Sequence, residues 1–86
     1  MLSQKFYLYI LKSLNFNRYY IGISSDLDKR IKKHNNKSVR STKFYIPWKL
    51  VYFEEFDNKT LARKRELFLK KNCQARQELF EKINLN

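Results

Sequence analysis

Residues 6–11, Phe-Tyr-Leu-Tyr-Ile-Leu, carry an apolar or aromatic side chain at every position. Successive side chains of a strand point to opposite faces, so Phe6, Leu8 and Ile10 share one face and Tyr7, Tyr9 and Leu11 the other. Neither face is polar, which demands cover on both and puts this strand at the centre of a sheet. A chain of 86 residues has little material for two covers. Nearly all of it must wrap around this one segment.

The polar stretch 12–17, with two asparagines, is the expected hairpin connection. Arg18-Tyr19-Tyr20-Ile21-Gly22-Ile23 is then the second strand, aromatic and β-branched. A turn centred between residues 14 and 15 sets Tyr9 directly opposite Tyr20, on the same face. Gly22 inside a strand pattern marks a close backbone approach or a bulge. Ser25 followed by Asp28 resembles a capping box, with Asp in place of Glu or Gln, and opens a helix on which Leu27, Ile31 and His34 recur at helical spacing. Asn35-Asn36 ends it. Residues 37–45 lack periodicity and read as a basic loop stopped by Ile46-Pro47.

The third strand is expected over 48–56, with Val51 and Phe53 on one face and Leu50 and Tyr52 on the other. Residues 57–60 supply cap residues for a helix running to Lys71, and a last helix over 74–83 turns Leu79, Phe80 and Ile83 inward. The order ββαβαα, hairpin first, gives an α+β fold: one domain over residues 1–86, a small three-stranded antiparallel sheet flanked by about three helices.

Nineteen Lys and Arg against eight Asp and Glu leave a net charge of +11. On so small a body that excess calls for an anionic partner, most often nucleic acid. Seven of the basic residues fall within 26–43, against two acids. No apolar run reaches the ~18 residues of a membrane span, and the short N-terminal apolar stretch runs into charged sequence, unlike a signal peptide. No membrane partner is expected. Cys73 is the only cysteine, which excludes an intrachain disulfide and a CxxC zinc site and fits a reducing, cytoplasmic setting.

Tyr7-Leu8-Tyr9, Tyr20-Ile21-Gly22, Arg30 ten residues after Tyr20, His34 four residues further and Glu66 in the late helix together resemble the GIY-YIG nuclease domain. The resemblance covers most of the chain and is nearest to small members related to the incision nuclease of nucleotide excision repair. The first motif departs from the family at its glycine, which is Tyr7 here. The resemblance implies a catalytic set of Tyr9, Tyr20, Arg30, His34 and Glu66, with Glu66 holding a divalent metal.

The eight acids form no set that would hold two ions ~3.5–4 Å apart. One Mg²⁺ (or Mn²⁺), held by Glu66, waters and a phosphate oxygen, is the economical expectation. Tyr9 is assigned as base toward the attacking water, its pKa lowered from ~10 by a guanidinium and the metal. Tyr20 and His34 shape its hydrogen bonds, and Arg30 neutralises charge on the phosphate. Base and leaving-group roles are interchangeable among these residues.

Each residue also has a plain structural reading. The tyrosines pack a sheet, Arg30 pairs with Asp26, His34 is a cation at a helix C-terminus, and Glu66 pairs with exposed Lys70. The expected function is a metal-dependent endonuclease on DNA, with Lys33, Lys37, Arg40 and Lys43 as phosphate contacts. The alternative is a catalytically silent nucleic-acid-binding module, or an adaptor in a larger DNA repair or recombination complex.

Overall fold

The computed structural model describes residues 4–84. Strands β1 (Phe6–Ser13), β2 (Tyr19–Ser24) and β3 (Trp48–Phe56) form one antiparallel sheet in the order β2-β1-β3. Helix α1 (Leu27–Asn35) follows the hairpin; α2 (Lys59–Lys71) and α3 (Cys73–Asn84) follow β3. The α+β layout ββαβαα is the one expected, and the two-faced apolar strand is indeed the central one.

β1 divides the interior in two. On one face Leu8 and Ile10 meet Ile21 and Leu69, closed over by Leu79, Phe80 and Ile83 of α3. On the other, Tyr9 and Leu11 meet Trp48, with Leu27 and Ile31 of α1 above them. Leu8, Ile10 and Leu11 are fully buried, each contributing about 1.5–3 kcal/mol. The apolar face therefore anchors α2 and α3, while the tyrosine face receives α1.

Four local expectations are corrected. β1 runs two residues past Leu11, and the hairpin closes on a Ser13 N–H to Arg18 carbonyl bond of 3.0 Å. The register pairs Tyr9 with Gly22 and Leu11 with Tyr20, not Tyr9 with Tyr20. A shift of two residues preserves facing, so both phenols stay on one face, diagonally placed. The cap of α1 is Asp26, whose side chain accepts from the Lys29 N–H, not Ser25. In β3 the strict alternation fails at a bulge beside Ile10 and Leu11. Val51 and Tyr52 then pack against the same cluster and Leu50 against the other, because a bulge sets two residues against one.

α2 begins at Lys59, behind the cap residue Asn58 whose side chain accepts from the Leu61 N–H, and ends at Lys71 as expected. No helix among the described residues is long and apolar enough to cross a membrane.

Candidate active site

Tyr9 stands on the central strand with its side chain 1 % exposed, and its hydroxyl is the hub of the site. His34 Nε2 lies 2.9 Å from it and Arg30 Nε 3.3 Å. One turn of α1 separates Arg30 from His34, so the helix presents both to the same oxygen. Tyr20 packs alongside, its ring centroid 6.1 Å from that of Tyr9 and 4.7 Å from that of His34. Gly22 lies under them. A Cβ there would sit 2.6 Å from the Tyr9 hydroxyl and 2.9 Å from the Tyr20 ring, so the close approach expected at this glycine is made by the two tyrosines.

The proton positions follow from what each group can donate. Burial pushes the Tyr9 hydroxyl up to about 12, with the bond from Arg30 opposing and the charges of Tyr20 and Glu66 adding to the rise. The expected lowering is thus reversed, because desolvation of a phenolate here outweighs one guanidinium. Tyr9 accordingly keeps its proton. Arg30 can only donate to the phenol oxygen, so that proton is given to His34 Nε2.

His34 then carries hydrogen on Nδ1, which donates to Thr42 Oγ1 at 2.8 Å, and Thr42 passes its own proton toward the Val39 carbonyl. Burial, then the Arg30 charge, hold His34 down to about 4. It is a neutral, fully buried imidazole, not the helix-end cation of the plain reading. Arg30 likewise turns to Tyr9 rather than pairing with Asp26.

Thr42, buried at 1 %, has no signal in the sequence. It lies in the stretch 37–45, read as a basic loop, and is fixed by its carbonyl accepting from the Trp48 indole N–H at 2.9 Å. Asn35 clamps the other side of Trp48, accepting from its backbone N–H at 2.6 Å and donating to its carbonyl at 3.0 Å. The chain Asn35–Trp48–Thr42 thereby sets the His34 ring. Around it, Lys33, Lys37 and Arg40 are exposed and Lys43 is half-buried. Lys37 takes a left-handed backbone, φ 69°, and the Ser38 N–H bonds back to the Lys33 carbonyl, a helix end where glycine is usual.

Glu66 approaches from α2, near enough for its charge to act on Tyr9. It is buried, 5 % exposed, and held by Arg63 at 2.5 Å on one oxygen and by Lys70 at 2.9 Å on the other. Arg63, three residues back, adds to the Lys70 pair seen in the sequence; the i,i+3 rule would have found it. Burial pushes the Glu66 carboxyl up, but Lys70 and Arg63 together outweigh it and leave it below the usual carboxylate range. It is ionised at neutral pH. Each of its oxygens keeps a lone pair beyond the one already bonded. Among the described residues no three His, Cys, Asp or Glu side chains gather as a metal site. A single carboxylate with open lone pairs suits a hard ion that keeps most of its water.

Comparison with known proteins gives the family. The family model described as the GIY-YIG catalytic domain matches residues 5–81. A UPF0213 protein of Clostridium perfringens is 47% identical over 66 residues, spanning 76% of this chain and 70% of that one. A UPF0213 protein of Streptococcus pyogenes is 35% identical over 80 residues, 92% and 86% of the two chains. The solution NMR structure of a UPF0213 protein from Bacillus halodurans superposes with a TM-score of 0.55 at 30% identity, covering 92% of this chain and 84% of that one. The chain belongs to the GIY-YIG family as a small member of the UPF0213 type.

Proposed function

We propose that the protein is a metal-dependent endonuclease that hydrolyses phosphodiester bonds in DNA. The observation that carries the reading is the Tyr9 hydroxyl held between Arg30 and a neutral His34, with the ionised carboxylate of Glu66 nearby. Packing alone needs none of that polar order around a buried phenol.

Arg30 is the movable part. Its bond to Tyr9 is long, and a phosphate oxygen offers the guanidinium a charged partner. When Arg30 turns to the phosphate, it uncovers the Tyr9 hydroxyl and neutralises charge building on phosphorus. The same move takes a cation away from His34, which raises the affinity of Nε2 for a proton. Tyr9 can then take a proton from the attacking water as it hands its own to His34, so no free phenolate forms. Thr42 keeps the ring turned for that transfer. Glu66 would hold the Mg²⁺ or Mn²⁺, which when bound would supply charge stabilisation for the leaving oxygen.

Tyr20 is half-buried and borders a groove with Arg18, Lys70 and Arg76. That exposure favours a variation in which Tyr20 faces the water and Tyr9 steadies it. Tyr9→Phe and Tyr20→Phe separate the two, since the base loses the larger share of turnover. Lys33, Lys37, Arg40 and Lys43 serve as phosphate contacts, through which a larger repair complex would also be positioned on DNA.

The test of the activity is nicking of supercoiled plasmid with and without Mg²⁺, wild type beside Glu66→Ala. Nicking by the wild type alone, and only with metal, is the expected result. Absence of any metal-dependent cleavage by the wild type on duplex, branched and single-stranded DNA would leave a binding module.

A further inference from the structure

A second feature adjoins the site and shares only Arg30 and Lys33 with the groups used above. An open cleft of about 320 Å³ lies between the start of α1 and the start of α2, and Arg30 is part of its wall. Phe6 and Ile23, both half-buried, give it an apolar floor, while Lys29 and Lys33 of α1 and Lys59 of α2 stand around it. The lysines come from two helices far apart in sequence, so their convergence is made by the fold and not by a local run of charge.

The acid in the cleft is Asp26. Its Oδ1 accepts from the Lys29 N–H at the helix cap, and its single negative charge is outnumbered by Arg30 and the three lysines. Ser24 is engaged too, its hydroxyl donating to the Asp26 carbonyl and accepting from the Asp26 N–H. Among the described residues no Asn or Gln lines the space, and the lysines are point charges rather than planar forks, which suits phosphate more than a base edge. What remains is cationic rims over an apolar floor: charge for a phosphate, and carbon surface for a sugar or the face of any base.

We infer that this cleft is the subsite for the nucleotide next to the scissile phosphate, holding its backbone phosphate on Lys29, Lys33 and Lys59 without regard to base identity. The inference rests on the nuclease reading for its position relative to the cut, since Arg30 serves both spaces. It makes the preferred substrate an internal linkage, one with a further phosphate beyond the sugar. It also places part of the strand's path on α2, away from the basic loop 37–43.

The test uses fluorescence anisotropy of two short single-stranded DNAs of unrelated sequence, with metal chelated so that nothing is cut. Lys59→Ala is compared with Lys49→Ala, an equal change of charge in a different cavity, between β3 and α3. Lys59→Ala should weaken both DNAs about tenfold, a charged hydrogen bond lost, and lower the salt slope by about 0.7, the value for one phosphate of a single strand. Lys49→Ala should change neither. With Mg²⁺ present, Lys59→Ala should raise KM and leave kcat unchanged. Equal effects of the two substitutions, or a loss confined to one sequence, would overturn the subsite. Because binding is read without metal, a wild type that binds through Lys59 and never cuts would sink the nuclease reading and keep the cleft. A wild type that cuts while indifferent to Lys59 would do the reverse.

Discussion

Tyr9 and Gly22 face each other across β1 and β2, and a methyl group on residue 22 would lie 2.6 Å from the Tyr9 hydroxyl and 2.8 Å from its ring carbon Cζ. The absence of a side chain at 22 is thus what lets the phenol lie flat enough to reach His34. Gly22→Ala forces Tyr9 or Tyr20 aside. Overpacking of this kind costs about 1–3 kcal/mol. Denaturant unfolding should show that loss, and cleavage by the folded fraction should fall by at least ~10²-fold through the misplaced hydroxyl.

His34 is the only histidine in the chain and sits at about 4 when folded, against ~6.5 unfolded. Between those values the unfolded chain binds a proton that the folded one refuses, so stability rises with pH there. The contribution is complete above about pH 6.5 and is lost as pH falls toward 4, on the order of 3 kcal/mol in all. Unfolding midpoints measured from pH 7 to 4 should show this slope in the wild type and lose it above pH 5 in His34→Gln.

Lys37 holds a left-handed backbone that costs a residue with a Cβ about 1 kcal/mol. Lys37→Gly should therefore raise stability by about that much, read from the unfolding midpoint. If Lys37 also contacts phosphate, the same variant binds DNA more weakly and with a shallower salt dependence. A gain in stability with unchanged binding would confine Lys37 to the helix end.

Both oxygens of Glu66 carry a cation, and a divalent ion arriving there meets two positive charges. Removing them in Arg63→Ala with Lys70→Ala should tighten Mn²⁺ binding by roughly tenfold in the absence of DNA. Titration followed by calorimetry or electron paramagnetic resonance reads this directly. Glu66→Gln should abolish the binding and cost about 1 kcal/mol of stability, more than one exposed pair would, because the carboxylate is buried between two donors.

The elements were legible because their signals are local. The two-faced β1, the Pro-bounded β3 and the Asn58 start of α2 each announce themselves within a few residues. The pairing of Tyr9 with Gly22 was not, because hairpin register depends on loop length, and the expected turn was centred one residue early. Facing survived only because the resulting shift is even. The bulge in β3 leaves no mark in a run of apolar residues. Of the site, the order and spacing of Tyr9, Tyr20, Arg30, His34 and Glu66 pointed to a known family. Thr42 and the Asn35 clamp on Trp48 did not show, since they act through the packing of a non-periodic loop. The upward push on Tyr9 was missed for a related reason. Spacing shows which charges are near, while desolvation depends on everything that covers the group.

The proposed chemistry turns on the Tyr9 hydroxyl between Arg30 and His34. Single-turnover cleavage by Tyr9→Phe, with DNA binding measured on the same preparation, tests it most directly. Binding should stay within about twofold of wild type and cleavage should fall by at least ~10²-fold, the smaller end of a general acid–base contribution. Folded protein that binds DNA and cuts it at the wild-type rate without that hydroxyl would contradict it.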